Sequence, residues 1–371
     1  MMKNKRLLSI LGILLLILAF SQCRKDRVVD TIVSTSPIGS PYTLEIPQGF
    51  PAPYIPSDNP LTIEAIKLGR HLFFEKRLSA DNSMSCSSCH LQLAAFTDGK
   101  IRSEGIRGLK TRRHAMALFN LAWQEHFFWD GRAMSLEQQA LMPIEDEFEL
   151  DNSLDTVVER LSKDPLYQQL FTDAFGDDQV TPQRIGKAIA QFERTIVSAN
   201  SEFDSVIRLK TKAEFSDLGA RRGFDMFSSE NGDCFHCHGH LETAFQLGAF
   251  GRDLQFINNG VLSAADQFFD KGREEVTGDT ADRAHFKVAS VRNAEFSIPF
   301  MHNGSIPDLD SLILFYEKGI HITPSIDPNI NKINGLGRKN WSVAEKEDLK
   351  KFIKSLTDYK FLTDTNYSSP F

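Results

Sequence analysis

The chain has 371 residues, of which 41% are hydrophobic and 25% are charged, a composition typical of globular proteins with a packed core. Its 42 basic and 49 acidic side chains give a formal net charge of −7. Removal of the first 22 residues would leave 39 basic and 49 acidic side chains, a net charge of −10. This acidic balance argues against nucleic acid as a partner.

The N-terminus has the features of an export signal. Three basic residues lie within the first six positions, and residues 7–20 form an apolar run that is too short to span a bilayer comfortably. Cys23 follows at the position where bacterial lipoproteins are lipidated, although Gln22 replaces the usual small residue. Residues 1–22 are therefore predicted to be a lipoprotein-type signal peptide, which places the chain in the periplasm with a lipid anchor on Cys23. An uncleaved membrane anchor and an ordinary signal peptide are the alternatives.

Residues 23–60 are predicted to form a tether, because seven prolines between positions 37 and 60 disfavour regular helix and favour an extended chain. Ser342 and Glu345 have the pattern of a capping box. Almost no segment alternates with a period of two, so a mainly α protein is predicted. Helical spacing of apolar residues predicts helices over residues 62–75, 134–142, 153–162, 164–175, 182–199, 214–227, 308–318 and 342–356.

A weak internal repeat indicates two similar halves. The sequence Gly-Arg-His-Leu-Phe at residues 69–73 precedes Cys-Ser-Ser-Cys-His at residues 86–90. In the second half, Gly-Phe-Asp-Met-Phe at residues 223–227 precedes Cys-Phe-His-Cys-His at residues 234–238. Each half is therefore predicted to contain a helix, a loop and a Cys-x-x-Cys-His motif.

Cys-x-x-Cys-His is the attachment signature of c-type haem, because its two thiols reach the two vinyl groups of one porphyrin and its His binds the iron. A shared zinc site is one alternative, but Cys234 lies 144 positions after His90. A redox dithiol is the other, and it would not need the His twice. Two covalent haems are therefore predicted, attached through four cysteines and held by two proximal histidines: Cys86, Cys89, His90, Cys234, Cys237 and His238.

Four further segments are informative: Leu-Gly-Arg-His-Leu-Phe-Phe at residues 68–74, Phe-Trp-Asp-Gly-Arg-Ala at 128–133, Val-Arg-Asn at 291–293 and Pro-Phe-Met-His-Asn-Gly at 299–304. With these segments the chain resembles the bacterial dihaem cytochrome c peroxidases from about residue 61 to about residue 360. The resemblance implies two cytochrome c-like domains that each bind one haem c. With the boundary that the internal repeat indicates, these are an N-terminal peroxidatic domain over residues 61–205 and a C-terminal electron-transfer domain over residues 206–371.

The resemblance also implies roles for individual residues. Trp129 matches the tryptophan that relays electrons or holes between the haems. Gln139 and Glu149 match the peroxide-pocket pair of the N-terminal haem, in which Glu149 would act as the acid–base catalyst. Glu147 is a competitor for that role, because it lies in the same acidic run. Pro143 matches a loop proline near the pocket.

Two features of the N-terminal site depart from the family pattern. A His that caps the N-terminal haem in the oxidised state is expected at position 106, which is Ile106 here. Isoleucine cannot bind iron, so this haem is predicted to be open without prior reduction. His114 replaces the Asn that helps hold a calcium ion between the haems, and imidazole is a poor calcium ligand. Ser297 and Pro299 match the carbonyl donors, so calcium could still bind there.

The C-terminal haem departs from the pattern as well. The expected distal Met is replaced by Tyr316, which resembles the MauG branch of the family, whose members oxidise residues of another protein. Tyrosinate favours oxidised iron, whereas Met raises the potential. Ligation of the iron by Tyr316 is predicted. The alternative is a buried Tyr behind the haem, with Met301 or a water as the ligand.

The leading interpretation is a dihaem c-type peroxidase. It would reduce hydrogen peroxide to water with electrons from a small periplasmic donor such as cytochrome c or a cupredoxin. The second is a MauG-like enzyme whose high-valent haems oxidise a protein or organic substrate, as Tyr316 and Ile106 both suggest. The third, a non-catalytic electron carrier, needs two strong axial ligands on each haem. A second copy of the chain, in a homodimer, is a further candidate partner.

Overall fold

Helices dominate the computed structural model, which describes residues 38–239, 256–330 and 339–371. The prediction of a mainly α protein is confirmed, since the strands described are the short antiparallel pair Phe256–Ile257 and Phe286–Lys287. The α-helices are Ile63–Phe74 (α1), Leu136–Gln139 (α2), Met142–Glu145 (α3), Leu154–Ser162 (α4), Pro165–Phe175 (α5), Pro182–Thr195 (α6), Leu218–Phe227 (α7), Phe235–His238 (α8), Glu274–Thr277 (α9), Leu309–Leu314 (α10), Val343–Ser355 (α11) and Tyr359–Thr363 (α12).

Short helical turns connect these helices. Two of them have π geometry, Asp204–Arg208 and Phe315–Gly319, and the second continues directly from α10. The 3₁₀ turns are Lys76–Leu78, Cys86–Ser88, Gln92–Ala94, Leu121–Trp123, Asp266–Phe268, Thr280–Asp282 and Thr365–Tyr367.

Most predicted helices form close to their expected bounds, and three differ for a local reason. The helix predicted from residue 214 begins at Leu218, because the Asp217 side chain caps it by accepting from the N–H of Gly219. The helix predicted over residues 134–142 is two short helices, because Pro143 starts a new first turn, where its missing N–H costs nothing. The helix predicted to reach residue 199 ends at Thr195, where Ile196 takes an extended conformation. The predicted capping box of Ser342 and Glu345 is present at the start of α11.

The internal repeat has a structural counterpart in two helix pairs, in which α1 packs on α6 and α7 packs on α11. A Cβ on Gly69 would lie 1.9 Å from the carbonyl oxygen of Ala188, and one on Gly223 would lie 2.0 Å from that of Asp348. Only glycine allows helix backbones to approach this closely. The two glycines that begin the sequence repeat therefore occupy equivalent positions in two helix crossings.

Each half has a hydrophobic cluster, and a third cluster joins them. Tyr167 and Phe171 lie in the first cluster, and Phe203 and Phe352 lie in the second. The third combines side chains around Phe73 with residues of the C-terminal helix α12. The described residues form one compact unit, so the division at residues 205/206 stays a prediction from the sequence repeat.

Part of the predicted tether lies against the folded chain. Phe50 is buried and its ring contacts that of Trp123 at 5.1 Å, while Asn59 is buried and donates to Glu137. Ordered packing therefore begins before residue 61. The predicted signal peptide, Cys23 and the first part of the tether lie outside the described residues. Within the described ranges, no helix is long and apolar enough to cross a membrane.

Candidate active site

A cavity of about 650 Å³ connects the two halves of the molecule. Its wall includes both motif histidines, His90 and His238. Cys89, Cys234 and Cys237 line it as well, whereas Cys86 packs among apolar side chains of the first half. One cavity therefore contacts both predicted haem-attachment motifs.

The two motifs share the same local turn. The backbone N–H of His90 donates to the carbonyl oxygen of Cys86 at 3.0 Å, and that of His238 donates to Cys234 at the same distance. In each motif the backbone is thus wound so that the first Cys and the His lie one turn apart. The sequence repeat extends to the geometry of the attachment sites.

The chemistry of the thiols disfavours a redox dithiol. Burial raises the pKa of Cys89 to about 11, and burial raises that of Cys234 and Cys237 to about 12. Reactive Cys-x-x-Cys pairs have a pKa below the ordinary value. A shared zinc site is disfavoured too, because the one three-residue group of suitable ligands within the described ranges is Glu230, Asp233 and His236.

The residues at both motifs fit a haem. His90 donates from Nδ1 to the carbonyl oxygen of Phe96 at 2.8 Å, which leaves Nε2 to face an iron. Burial lowers the pKa of His90, and it lowers that of His238 to about 4, so both rings are neutral as iron ligands must be.

The predicted peroxide pocket lies in the part of the cavity wall that the N-terminal half of the chain forms. Gln139, Pro143 and Glu149 all line the cavity, and the amide oxygen of Gln139 is buried without a hydrogen-bond partner. Burial raises the pKa of Glu149 to about 7, with a further upward contribution from Asp146 and a downward one from Arg132. A carboxyl group with this pKa can both release and accept a proton near neutral pH.

Glu147, the competitor for this role, faces away from the cavity. Its side chain is 59% exposed and lies 3.7 Å from Arg107 on the surface. Ile106 does not line the cavity either. The geometry therefore favours Glu149 over Glu147 and puts no iron ligand at position 106.

Trp129 lines the cavity and is held by backbone contacts from two directions. Its indole Nε1–H donates to the carbonyl oxygen of His114 at 2.8 Å, and its own carbonyl accepts from the N–H of Lys287 at 2.7 Å. The ring of His302 lies 6.4 Å away, edge to face. These contacts fix the indole in one orientation within the cavity that reaches both motifs.

The residues of the predicted calcium position all lie on the cavity wall, but one of them, His114, offers an unsuitable donor. His114, Ser297 and Pro299 all line the cavity. His114 donates from Nδ1 to the carbonyl oxygen of Lys100 at 2.7 Å, and its buried Nε2 has no hydrogen-bond partner. His114 therefore presents an imidazole nitrogen to the cavity, a donor that calcium disfavours.

Tyr316 and Met301, the two candidate ligands of the C-terminal iron, both line the cavity. Asn259 contacts both: its Nδ2 donates to the Tyr316 hydroxyl oxygen at 3.3 Å and to the Met301 sulfur at 3.2 Å. Burial raises the pKa of Tyr316, while the hydrogen bond from Asn259 lowers it. The predicted ligand Tyr316 and its alternative Met301 therefore contact the same amide group, that of Asn259.

Three cavity residues were not assigned a role from the sequence. The first is Asn259. The second is Lys287, and its ammonium group donates to the Gln124 side chain and to the carbonyl oxygen of His126. Burial lowers the pKa of Lys287 to about 7. Arg292 is fully buried, pairs with Asp204 and has an unpartnered Nε. Arg292 lies in the Val-Arg-Asn segment that the sequence analysis noted. No sequence pattern indicates Asn259 or Lys287.

Comparisons with known proteins identify the family of this chain. The family model described as di-haem cytochrome c peroxidase matches residues 63–212. The methylamine utilization protein MauG of Methylophilus methylotrophus is 33% identical over 311 residues, covering 84% of this chain and 86% of that protein. Cytochrome c551 peroxidase of Nitrosomonas europaea is 31% identical over 257 residues, covering 68% and 73%.

A solved structure extends the likeness to the fold. It is described as a MauG-like protein associated with microbial copper homeostasis, and it superposes with a TM-score of 0.76 at 32% identity. The match covers 89% of this chain and 99% of the other. The resemblance inferred from the sequence is confirmed: the chain belongs to the superfamily of dihaem cytochrome c peroxidases and MauG proteins.

Proposed function

We propose that this protein is a periplasmic dihaem peroxidase that reduces hydrogen peroxide to two waters with two electrons from a small donor protein and two protons. The observation that carries the proposal is Glu149, a cavity-lining carboxyl group whose pKa burial raises to about 7. A haem peroxidase needs such a group, because the proton on one peroxide oxygen must move to the other as the O–O bond breaks.

In this proposal Cys86, Cys89 and His90 would hold the haem that supplies the redox chemistry for peroxide reduction. Glu149 takes the proton from one peroxide oxygen and delivers it to the other, which leaves as water. Gln139, whose buried amide oxygen has no hydrogen-bond partner, orients the peroxide by a hydrogen bond. Trp129 passes electrons across the cavity from the C-terminal half.

Electron supply from a donor protein is tested by following peroxide consumption and donor oxidation together. With reduced small cytochrome c as donor, two donor molecules should be oxidised for each peroxide consumed. Trp129→Phe should slow donor oxidation, while two haems per chain are retained. Peroxide loss without donor oxidation would contradict the proposed electron source.

The second candidate function is MauG-like oxidation of a protein or organic substrate, and Tyr316 favours it. Its hydroxyl lies on the cavity wall and receives a hydrogen bond from Asn259. We propose that Tyr316 binds the C-terminal iron, which would keep this haem at low potential and make it a poor acceptor from a mild donor. Neither candidate function includes a calcium ion, because His114 offers calcium a nitrogen in place of an oxygen ligand.

Spectra distinguish these two candidates. The wild type should lack the near-infrared band of iron–thioether ligation, and Tyr316→Met should create it, raise the potential and increase turnover with cytochrome c. A thioether band in the wild type would show that Met301 or another methionine is the ligand and would favour the peroxidase. An unchanged spectrum in Tyr316→Phe would contradict ligation by Tyr316.

Export and anchoring remain part of the proposal because they follow from residues 1–22 and Cys23. In a Gram-negative host, the wild type should be found in the membrane fraction on the periplasmic side. Cys23→Ser should release it or block its processing. Recovery of the wild type as a soluble cytoplasmic protein would contradict both the anchor and the location.

A further inference from the structure

The side chain of Asn259 is held in one orientation by its own hydrogen bonds. Its Oδ1 accepts from the backbone N–H of Val261 at 3.2 Å. The amide nitrogen must therefore be the atom that faces Tyr316 and Met301, because an oxygen on that side would leave Val261 without its acceptor. Nδ2 has two hydrogens, one for the hydroxyl oxygen and one for the sulfur.

The loop that carries Asn259 is fixed by the residue before it. Asn258 is buried and donates from Nδ2 to the hydroxyl groups of Thr323 and Ser325, both at 3.0 Å. Its Oδ1 accepts from the N–H of Gly260 at 2.9 Å, and its carbonyl accepts from the N–H of Asp327 at 3.0 Å. Asn259 is therefore presented by a rigid backbone.

Met301 is also held in place by the backbone. It has a φ of 73°, in the left-handed region that a residue with a long side chain rarely adopts. The turn around it is closed by the N–H of Gly304, which donates to the Met301 carbonyl at 3.1 Å, and by Phe300, which donates to Ile306 at 2.7 Å. Backbone strain of this kind is retained where the surrounding structure requires it.

We propose that Asn259 is the positioning residue that selects Tyr316 over Met301 as the axial ligand of the C-terminal haem. The inference rests on the proposed ligation by Tyr316 and adds the residue that decides it. An N–H donated to the Tyr316 oxygen stabilises the charged phenolate, which is the form that binds iron. An N–H donated to the Met301 sulfur engages the weakly basic thioether, which would otherwise be free to bind.

The test is the spectrum of variants that remove the amide hydrogens. Asn259→Asp keeps the size of the side chain and loses both donors, and Asn259→Ala removes the side chain. In each variant the near-infrared thioether band should appear and the potential of the C-terminal haem should rise. Met301→Leu combined with either change should abolish the band, while Met301→Leu alone should leave the wild-type spectrum unaltered.

Spectra of both Asn259 variants that match the wild type, with two haems bound, would overturn the selection by Asn259. A changed spectrum in Met301→Leu alone would overturn it as well. Failure of Tyr316 ligation gives a different result: Tyr316→Phe would then match the wild type whatever residue stands at position 259. If Asn259→Ala does not bind two haems, the isosteric Asn259→Asp decides the question.

Discussion

Ile106 donates its backbone N–H to the carbonyl oxygen of Glu149 at 3.0 Å. Position 106 is where the family resemblance leads one to expect an iron-capping His. In this chain the same position helps to hold the backbone of the proposed acid–base residue. The loop around Ile106 therefore supports the proposed peroxide pocket.

Hydrogen peroxide should react with the ferric enzyme as isolated. The reason is that Ile106 has no atom that binds iron, and its side chain lies away from the cavity wall. Stopped-flow mixing of the oxidised protein with peroxide should change the Soret band in the first turnover, without a reductant. A reaction that appears only after partial reduction would show that another residue caps the iron.

Gly105→Ala should slow the reaction with peroxide while leaving both haems attached. A Cβ on Gly105 would lie 2.2 Å from the carbonyl oxygen of Phe148 and 2.6 Å from that of Glu149, so the loop that carries Glu149 must move. Lys110→Ala is the matched control, because Lys110 lies in the same loop and pairs with Glu104 on the surface. Equal rates for the two variants would show that the position of this loop does not limit the reaction.

The purified chain should contain two covalent haems. The pyridine haemochrome of denatured protein should give two haems per polypeptide, and colour should remain after acid–acetone extraction. Replacement of both Cys234 and Cys237 by Ala should leave one haem per chain. Bound zinc in place of haem, or a single haem in the wild type, would end the interpretation of both motifs.

Glu193→Gln should stabilise the fold at alkaline pH more than at acidic pH. Glu193 is buried with an unpartnered Oε2, and burial raises its pKa from 4.5 to about 8. At a pH between these two values, the Glu193 carboxyl group is ionised in the unfolded chain and protonated in the folded protein. Stability therefore falls as pH rises, by at most about 1.4 kcal/mol per pH unit.

Thermal unfolding of the two proteins at pH 5 and pH 8 measures this effect. The gain in Tm from Glu193→Gln should be larger at pH 8. The control is Glu159→Gln, because Glu159 is an exposed partner of Lys163 and should change the Tm little at either pH. Parallel shifts of Glu193→Gln at both pH values would show that Glu193 does not retain its proton in the folded protein.

The repeated features of this protein could be predicted from its sequence, and contacts between distant loops could not. The Cys-x-x-Cys-His motifs are local patterns, and Gly69 and Gly223 precede their first cysteines by 17 and 11 residues. Asn259 contacts Met301 and Tyr316, which lie 42 and 57 positions later in the sequence. A loop Asn has no periodicity or neighbouring pattern that would indicate such a contact.

The pH dependence of kcat/KM for peroxide tests the central role of Glu149 most directly. Glu149 must be a carboxylate to take the first proton, so kcat/KM should fall as pH decreases below about 7, the pKa that its burial produces. Glu149→Gln should lower kcat/KM by roughly a hundredfold or more and remove this acidic limb. Glu147→Gln, which alters an exposed carboxylate nearby, should retain both the rate and the limb. An unchanged profile in Glu149→Gln, or loss of the limb in Glu147→Gln, would contradict the account.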